Sequence, residues 1–149
     1  MIQVKAFAVL LDERGTRHVV WRGSDPSKSP GEFHRLLGGH VNFGETSRAA
    51  VVREIGEELG VELLEPHLLG VLESIFEYDG RPGHEVVFVY AGQMSNPDVV
   101  PAGGATFVDS DADIRVEWRP IDADALPLYP DGVEELIAGH LATSGSSAR

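Results

Sequence analysis

Residues 38–61 read GGHVNFGETSRAAVVREIGEELGV, and this stretch limits the folds open to the chain more than any other. Its second half, Thr46 to Leu59, is the clearest helix in the sequence. The Thr46 hydroxyl can accept a bond from a free backbone N–H at the start, and Gly60 can end the helix in a left-handed conformation. At about 100° per residue, Val52, Ile55 and Leu59 share one side, which is expected to face a core. Glu54, Glu57 and Glu58 gather on roughly the opposite side, with Ala50 near them leaving room.

That crowding is unfavourable in itself. Like charges one turn apart destabilise a helix by about 0.2–0.5 kcal/mol per pair. Glu57 and Glu58 also sit near the helix C-terminus, the end that disfavours anions. A purely structural purpose would not select the arrangement, whereas hard oxygen ligands on one face suit Mg²⁺ or Mn²⁺. The preceding loop can curl back so that a backbone carbonyl near Gly39 reaches the same ion. Arg53 can pair with Glu45 and pin loop against helix. Taken alone, EIGEELG is also what an ordinary solvated helix face looks like; the loop before it decides the reading.

The rest of the chain alternates strand signals with turns. Val4 to Leu11 and Arg17 to Trp21 read as strands around a DERGT turn, followed by a Ser/Pro/Gly loop from Arg22 to Gly31. Phe33 to Gly39 reads as one short strand. Leu68 to Tyr78 and His84 to Gly92 read as a hairpin around DGRPG, residues 93–115 as loop, Val116 to Ile121 as a strand and Asp131 to Leu141 as a helix. This predicts an α/β fold, a mixed sheet with helices on its faces, in one domain over residues 1–142 with a frayed tail at 143–149.

Charge and composition exclude several classes. A net charge of −12 argues against DNA, RNA or anionic lipid as partners. No run approaches the roughly 18 apolar residues of a membrane span. There are no cysteines, so disulfides and zinc–thiolate sites are excluded, and together with the lack of a secretory signal this points to the cytoplasm.

From Gly39 the residues run Gly, five positions, Glu45, seven positions, then Arg53-Glu54-Ile55-Gly56-Glu57-Glu58-Leu59-Gly60-Val61. This resembles the Nudix box at every fixed position. The resemblance implies an α/β/α sandwich and an Mg²⁺- or Mn²⁺-dependent hydrolase of a nucleoside diphosphate linked to another group, such as a nucleoside triphosphate, ADP-ribose, a nucleotide sugar or a dinucleotide. It implies that Gly39, Glu54, Glu57 and Glu58 hold metal, that Glu57, Arg53 and Glu58 serve catalysis, and that Glu45 supports Arg53. A homodimer is compatible with it. Two residues depart from the commonest wording, Leu37 before the glycine pair and Asn42 in the loop. The alternative from another class is a sensor domain that binds a nucleotide without cleaving it; that reading goes with lost box carboxylates, and none is lost here.

Outside the box the roles stay open. Arg35 either contacts phosphate or is a solvated strand residue. Phe33, Phe76, Tyr78 and Phe88 can stack on a base or pack the core. His84 and Glu85 open a strand near the expected substrate side, and Trp118 reads as packed. The base that takes a proton from water is Glu57, Glu58, or a carboxylate beyond the helix: Glu85, Glu117, Asp109, Asp111 or Asp113.

Overall fold

The computed structural model describes residues 1–29, 31–109, 111–122 and 126–147. Among them, nine strands form one mixed sheet: β1 (Gln3–Leu11), β2 (Arg17–Ser24), β3 (Glu32–Arg35), β4 (Leu37–His40), β5 (Leu63–Tyr78), β6 (Arg81–Met94), β7 (Ala105–Asp109), β8 (Ala112–Pro120) and β9 (Leu128–Tyr129). Two helices, α1 (Ser47–Leu59) and α2 (Val133–Ser147), lie on its faces. The result is the α/β/α sandwich expected from the sequence. None of the described helices is long and apolar enough to cross a membrane.

The apolar run in β1 has a direct cause. β1 pairs in parallel with β6 along one flank, and its other flank is shared, Lys5 to Ala8 with β4 and Leu10 to Leu11 with β2. Alternate side chains serve the two layers. Ala6, Ala8 and Leu10 join Val51, Ile55 and Leu59 under α1, while Phe7 and Val9 join Val133 and Ile137 under α2. A strand buried on both faces reads as continuous hydrophobicity instead of alternation. Ile55 is fully buried, so truncation to alanine costs about 2–5 kcal/mol.

Three local expectations are corrected. Phe33 to Gly39 is two strands, because the chain changes partner at Leu36: β3 pairs with β2, and β4 pairs with β1. Residues 93–115 contain β7, which forms a hairpin with β8. Helix α2 runs past Leu141 through Ser147, where the sequence reads as frayed; Ala148 and Arg149, also assigned to the tail, lie outside the described residues.

A buried polar chain links the sheet to α2. Arg119 donates to His34 Nδ1 at 3.0 Å and to Glu134 at 3.0 Å. Arginine has only donors, so His34 Nδ1 accepts, and His34 Nε2 donates to Glu117 at 2.9 Å.

Candidate active site

Helix α1 is held at both ends as its sequence dictates. Thr46 Oγ1 accepts from the Ala49 N–H at 3.1 Å, and Gly60, at φ +70°, donates its N–H to the Gly56 carbonyl. Arg53 gathers the surroundings. Its Nε and Nη2 grip the two oxygens of Glu45 at 2.8 and 2.9 Å. Nη2 also reaches the His40 carbonyl at 3.0 Å, and Nη1 reaches Glu54 at 3.0 Å and Glu57 at 3.3 Å. The Arg53 bonds and the Asn42 N–H bring the Glu45 carboxyl down to about 2. The loop preceding α1 is therefore pinned to the helix by one two-pronged ion pair.

The glycine pair lets Glu54 come close. A Cβ on Gly39 would lie 2.5 Å from the Glu54 carboxyl carbon, and one on Gly38, at φ +144°, would lie 2.1 Å from the Ala6 carbonyl oxygen. Neither position admits a side chain without movement.

Glu58 departs from the helical-wheel reading. It is 5% exposed, and the buried face of α1 consists of Ala50, Val51, Ile55, Glu58 and Leu59. Ala50 is core, not a spacer among the acids, and Val52 lies at the margin of the core. The cause is that α1 packs against β4 and β7 as well as β1, so its covered face is turned toward Glu58. Burial pushes the Glu58 carboxyl up to about 8, helped by the charges of Asp109 and Glu54 and opposed by Arg35 and the Gly38 N–H. Its Oε1 is buried without a hydrogen-bond partner. Glu57, by contrast, has its side chain 58% exposed.

These observations test the fit of a divalent cation. An orphaned buried carboxylate oxygen beside a glycine cradle is a group whose desolvation a hard cation would offset. Among the described residues no three acidic or imidazole side chains yet converge as a cage, since Arg53 draws Glu54 and Glu57 to itself. The donor set, three carboxylates and a backbone carbonyl, fits Mg²⁺ or Mn²⁺.

Arg35 connects this cluster to a cavity of about 310 Å³. Its guanidinium stacks 4.6 Å from the Trp21 ring and 5.4 Å from the Phe7 ring, and its Nε is buried without a partner. Burial lowers its pKa, while Glu58 and Glu85 act in the opposite sense. Phe33 centres an aromatic wall, edge-on to Trp21, Tyr78 and Tyr129 at 5.5–5.9 Å. Arg35, Phe33, Glu85, Phe76 and Tyr78 all line the cavity. His84 does not; it lies 3.2 Å from Glu73, and Phe88 packs into the layer under α1. Trp118 is packed, donating to the Val100 carbonyl at 2.8 Å.

Sequence reasoning missed Lys5, Lys28 and Asp25 on the cavity wall. Lys5 had a usable signal, a lone charge inside an apolar strand; it pairs with Glu85 at 2.8 Å. Asp25 lies in the loop after β2, yet it is 1% exposed and accepts the Ser27 and Asp79 N–H groups. Of the candidate bases, Glu85 and Glu117 are committed to ion pairs, Glu117 to Arg22 at 3.1 Å. Asp109 sits at the end of β7, within electrostatic reach of Glu58.

The fold is a three-layered helix–sheet–helix sandwich, with an acid-rich helix at a glycine turn and an aromatic cavity alongside. The NUDIX domain family model matches residues 1–137, and the chain belongs to that family. It is 31% identical over 88 residues to a protein of Mycobacterium tuberculosis named for a mutator role, MutT4. That match covers 56% of this chain and 31% of the relative, so the chain spans about a third of the relative's length. Among solved structures, the MutT NUDIX hydrolase from Burkholderia pseudomallei is 26% identical with a TM-score of 0.68, covering 93% of this chain and 97% of that one. A NUDIX hydrolase from Nitrosomonas europaea, at 21% identity and TM-score 0.65 over 96% and 90% of the two chains, shares the fold.

Proposed function

We propose that this protein hydrolyses a phosphoanhydride bond in a nucleoside diphosphate linked to another group. One observation carries the reading. The buried Glu58, with its orphaned Oε1, and Glu54, pressed against Gly39, lie within electrostatic reach of each other and of the Arg35 that lines the cavity. Charge-handling groups and an aromatic binding wall thus share one side chain.

Glu54, Glu57, Glu58 and the Gly39 carbonyl would hold Mg²⁺ or Mn²⁺. Such an ion neutralises phosphate charge and lowers the pKa of a water bound to it. The remaining work falls to the protein's own residues. Arg53 keeps Glu45, Glu54 and Glu57 in register. The cavity aromatics stack on the nucleoside, and Arg35 presents a positive charge toward the diphosphate. Asp109, at the end of β7 and within electrostatic reach of Glu58, joins Glu57 and Glu58 as a candidate for the base that takes the proton from the attacking water.

The test is product release from a panel of nucleoside triphosphates, nucleotide sugars, ADP-ribose and dinucleoside polyphosphates with Mg²⁺ or Mn²⁺. Turnover of at least one substrate is expected, with Glu57→Gln losing most of it and EDTA stopping it. Undiminished turnover in Glu57→Gln, or in excess EDTA, overturns the assignment.

A further inference from the structure

Away from the acidic helix, two histidines meet across the sheet–helix interface. His67 of β5 and His140 of α2 have ring centres 5.6 Å apart with planes tilted by 33°. We propose that His67 and His140 form a two-imidazole site for a borderline divalent transition metal, Zn²⁺, Ni²⁺ or Cu²⁺, which would clamp α2 onto the edge strand β5. This inference does not rest on the proposed hydrolase activity.

The interface holds the pair in place. Helix and strand meet at successive points along one track. Gly132, just before α2, packs against Leu72, where a Cβ would lie 3.3 Å from it. One turn on, Leu136 packs against Gly70, where a Cβ would lie 3.0 Å from the leucine. One further turn brings His140 beside His67. On the strand, Leu72 and Gly70 pair with Val87 and Val89, and His67 pairs with Ala91, all three partners belonging to the layer under α2. Regular alternation would not put residues 67 and 70 on one face; the register shift between Leu68 and Gly70 does so, just after a second shift between Leu64 and His67. Glu65 takes a positive φ of 45° at the start of this irregular segment, and Arg48 of α1 donates to the Pro66 carbonyl, fixing the backbone from the other side. The strand is bent at this point, and the bend delivers an imidazole to the helix.

The chemistry follows from the ligand type. Imidazole nitrogen suits zinc, nickel and copper and is a poor match for magnesium. Two imidazoles bound through nitrogen at 2.0–2.1 Å to one ion have ring centres roughly 5–6 Å apart. His67 is exposed and His140 half-buried, so an ion can enter and keep water in its remaining positions. Among the described residues no third His, Asp or Glu joins them, which makes this an open site for exchangeable metal rather than a closed structural one.

The test is thermal unfolding of the untagged chain with Zn²⁺, Ni²⁺ or Mg²⁺ alone, in wild type, His67→Ala, His140→Ala and Glu57→Gln. Zn²⁺ and Ni²⁺ are expected to raise the melting temperature of wild type and Glu57→Gln, and both histidine variants are expected to lose that rise. Electron paramagnetic resonance of bound Cu²⁺ should show coupling to two imidazole nitrogens, falling to one in either variant. A rise that survives both histidine variants but disappears in Glu57→Gln places the metal at the carboxylates and overturns the proposal. So does the absence of any rise in wild type.

Discussion

Arg53 and Glu45 meet through two parallel hydrogen bonds, 2.8 Å from Nε and 2.9 Å from Nη2, eight positions apart in sequence. The same guanidinium holds the His40 carbonyl, Glu54 and Glu57, so one planar cation sets the positions of three carboxylates. Lysine keeps the charge and loses the fork. Arg53→Lys should lower kcat roughly 10- to 100-fold, the range seen when a group that orients metal ligands is replaced. Steady-state kinetics alongside circular dichroism checks this; an intact fold with full kcat would count against it.

Gly39→Ala tests the cradle. Its Cβ would have to displace the Glu54 carboxyl from 2.5 Å, and because that group is the end of a flexible side chain it can swing aside at small cost in stability. The expected result is a folded protein with a lowered urea midpoint and turnover reduced far more than stability. Normal turnover would show that Glu54 works equally well elsewhere.

Tyr78→Ala addresses the cavity. Tyr78 is 41% exposed and edge-on to Phe33, so its loss should leave the fold intact. An aromatic contact is worth about 0.5–1.5 kcal/mol, which predicts a KM raised roughly 2- to 10-fold with kcat unchanged. A fall in kcat at constant KM would remove Tyr78 from substrate binding.

His18 predicts an acid-side loss of stability. It is buried, and burial, with the charges of Arg119 and His34 adding, holds its pKa down at about 3 against an ordinary value of 6.5. As pH falls below 6.5 the unfolded chain therefore takes up a proton that the native protein refuses until about 3. The stability contributed is full above 6.5 and falls as pH drops through that window. Between pH 6.5 and about pH 5 the loss is about 2 kcal/mol, at 1.36 kcal/mol per pH unit. Glu45, its carboxyl held at about 2, adds its own loss only at lower pH. Glu58, its carboxyl raised by burial to about 8, acts in the opposite sense over the same window, so urea titrations at stepped pH should show the His18 contribution as a difference in slope, wild type losing more stability toward acid than His18→Leu; identical slopes would remove the assignment.

The sequence made the local features readable and left the tertiary ones hidden. Thr46 and Gly60 announce the ends of α1 because capping depends only on neighbouring residues. The inward turn of Glu58 was not legible, since α1 lies on β4 and β7 as well as β1, and a helical wheel cannot know how many surfaces a helix must cover. The break at Leu36 was equally silent: Phe33 to Gly39 is continuously strand-like, and only the competition between β1 and β2 for partners divides it. β7 was hidden behind Pro101 and the Gly103–Gly104 pair, turn signals that end before Ala105. Cavity residues such as Asp25 lie in a loop whose composition says surface, and only the fold buries them.

The change of partner at Leu36 also ties recognition to reactivity. Arg35 closes one strand and Gly39 sits in the next, on the same short length of backbone. Under the proposed function, a guest that moved the Arg35 guanidinium would strain the same run of backbone that carries Gly39 beneath Glu54, so recognition and reactivity would share one mechanical link.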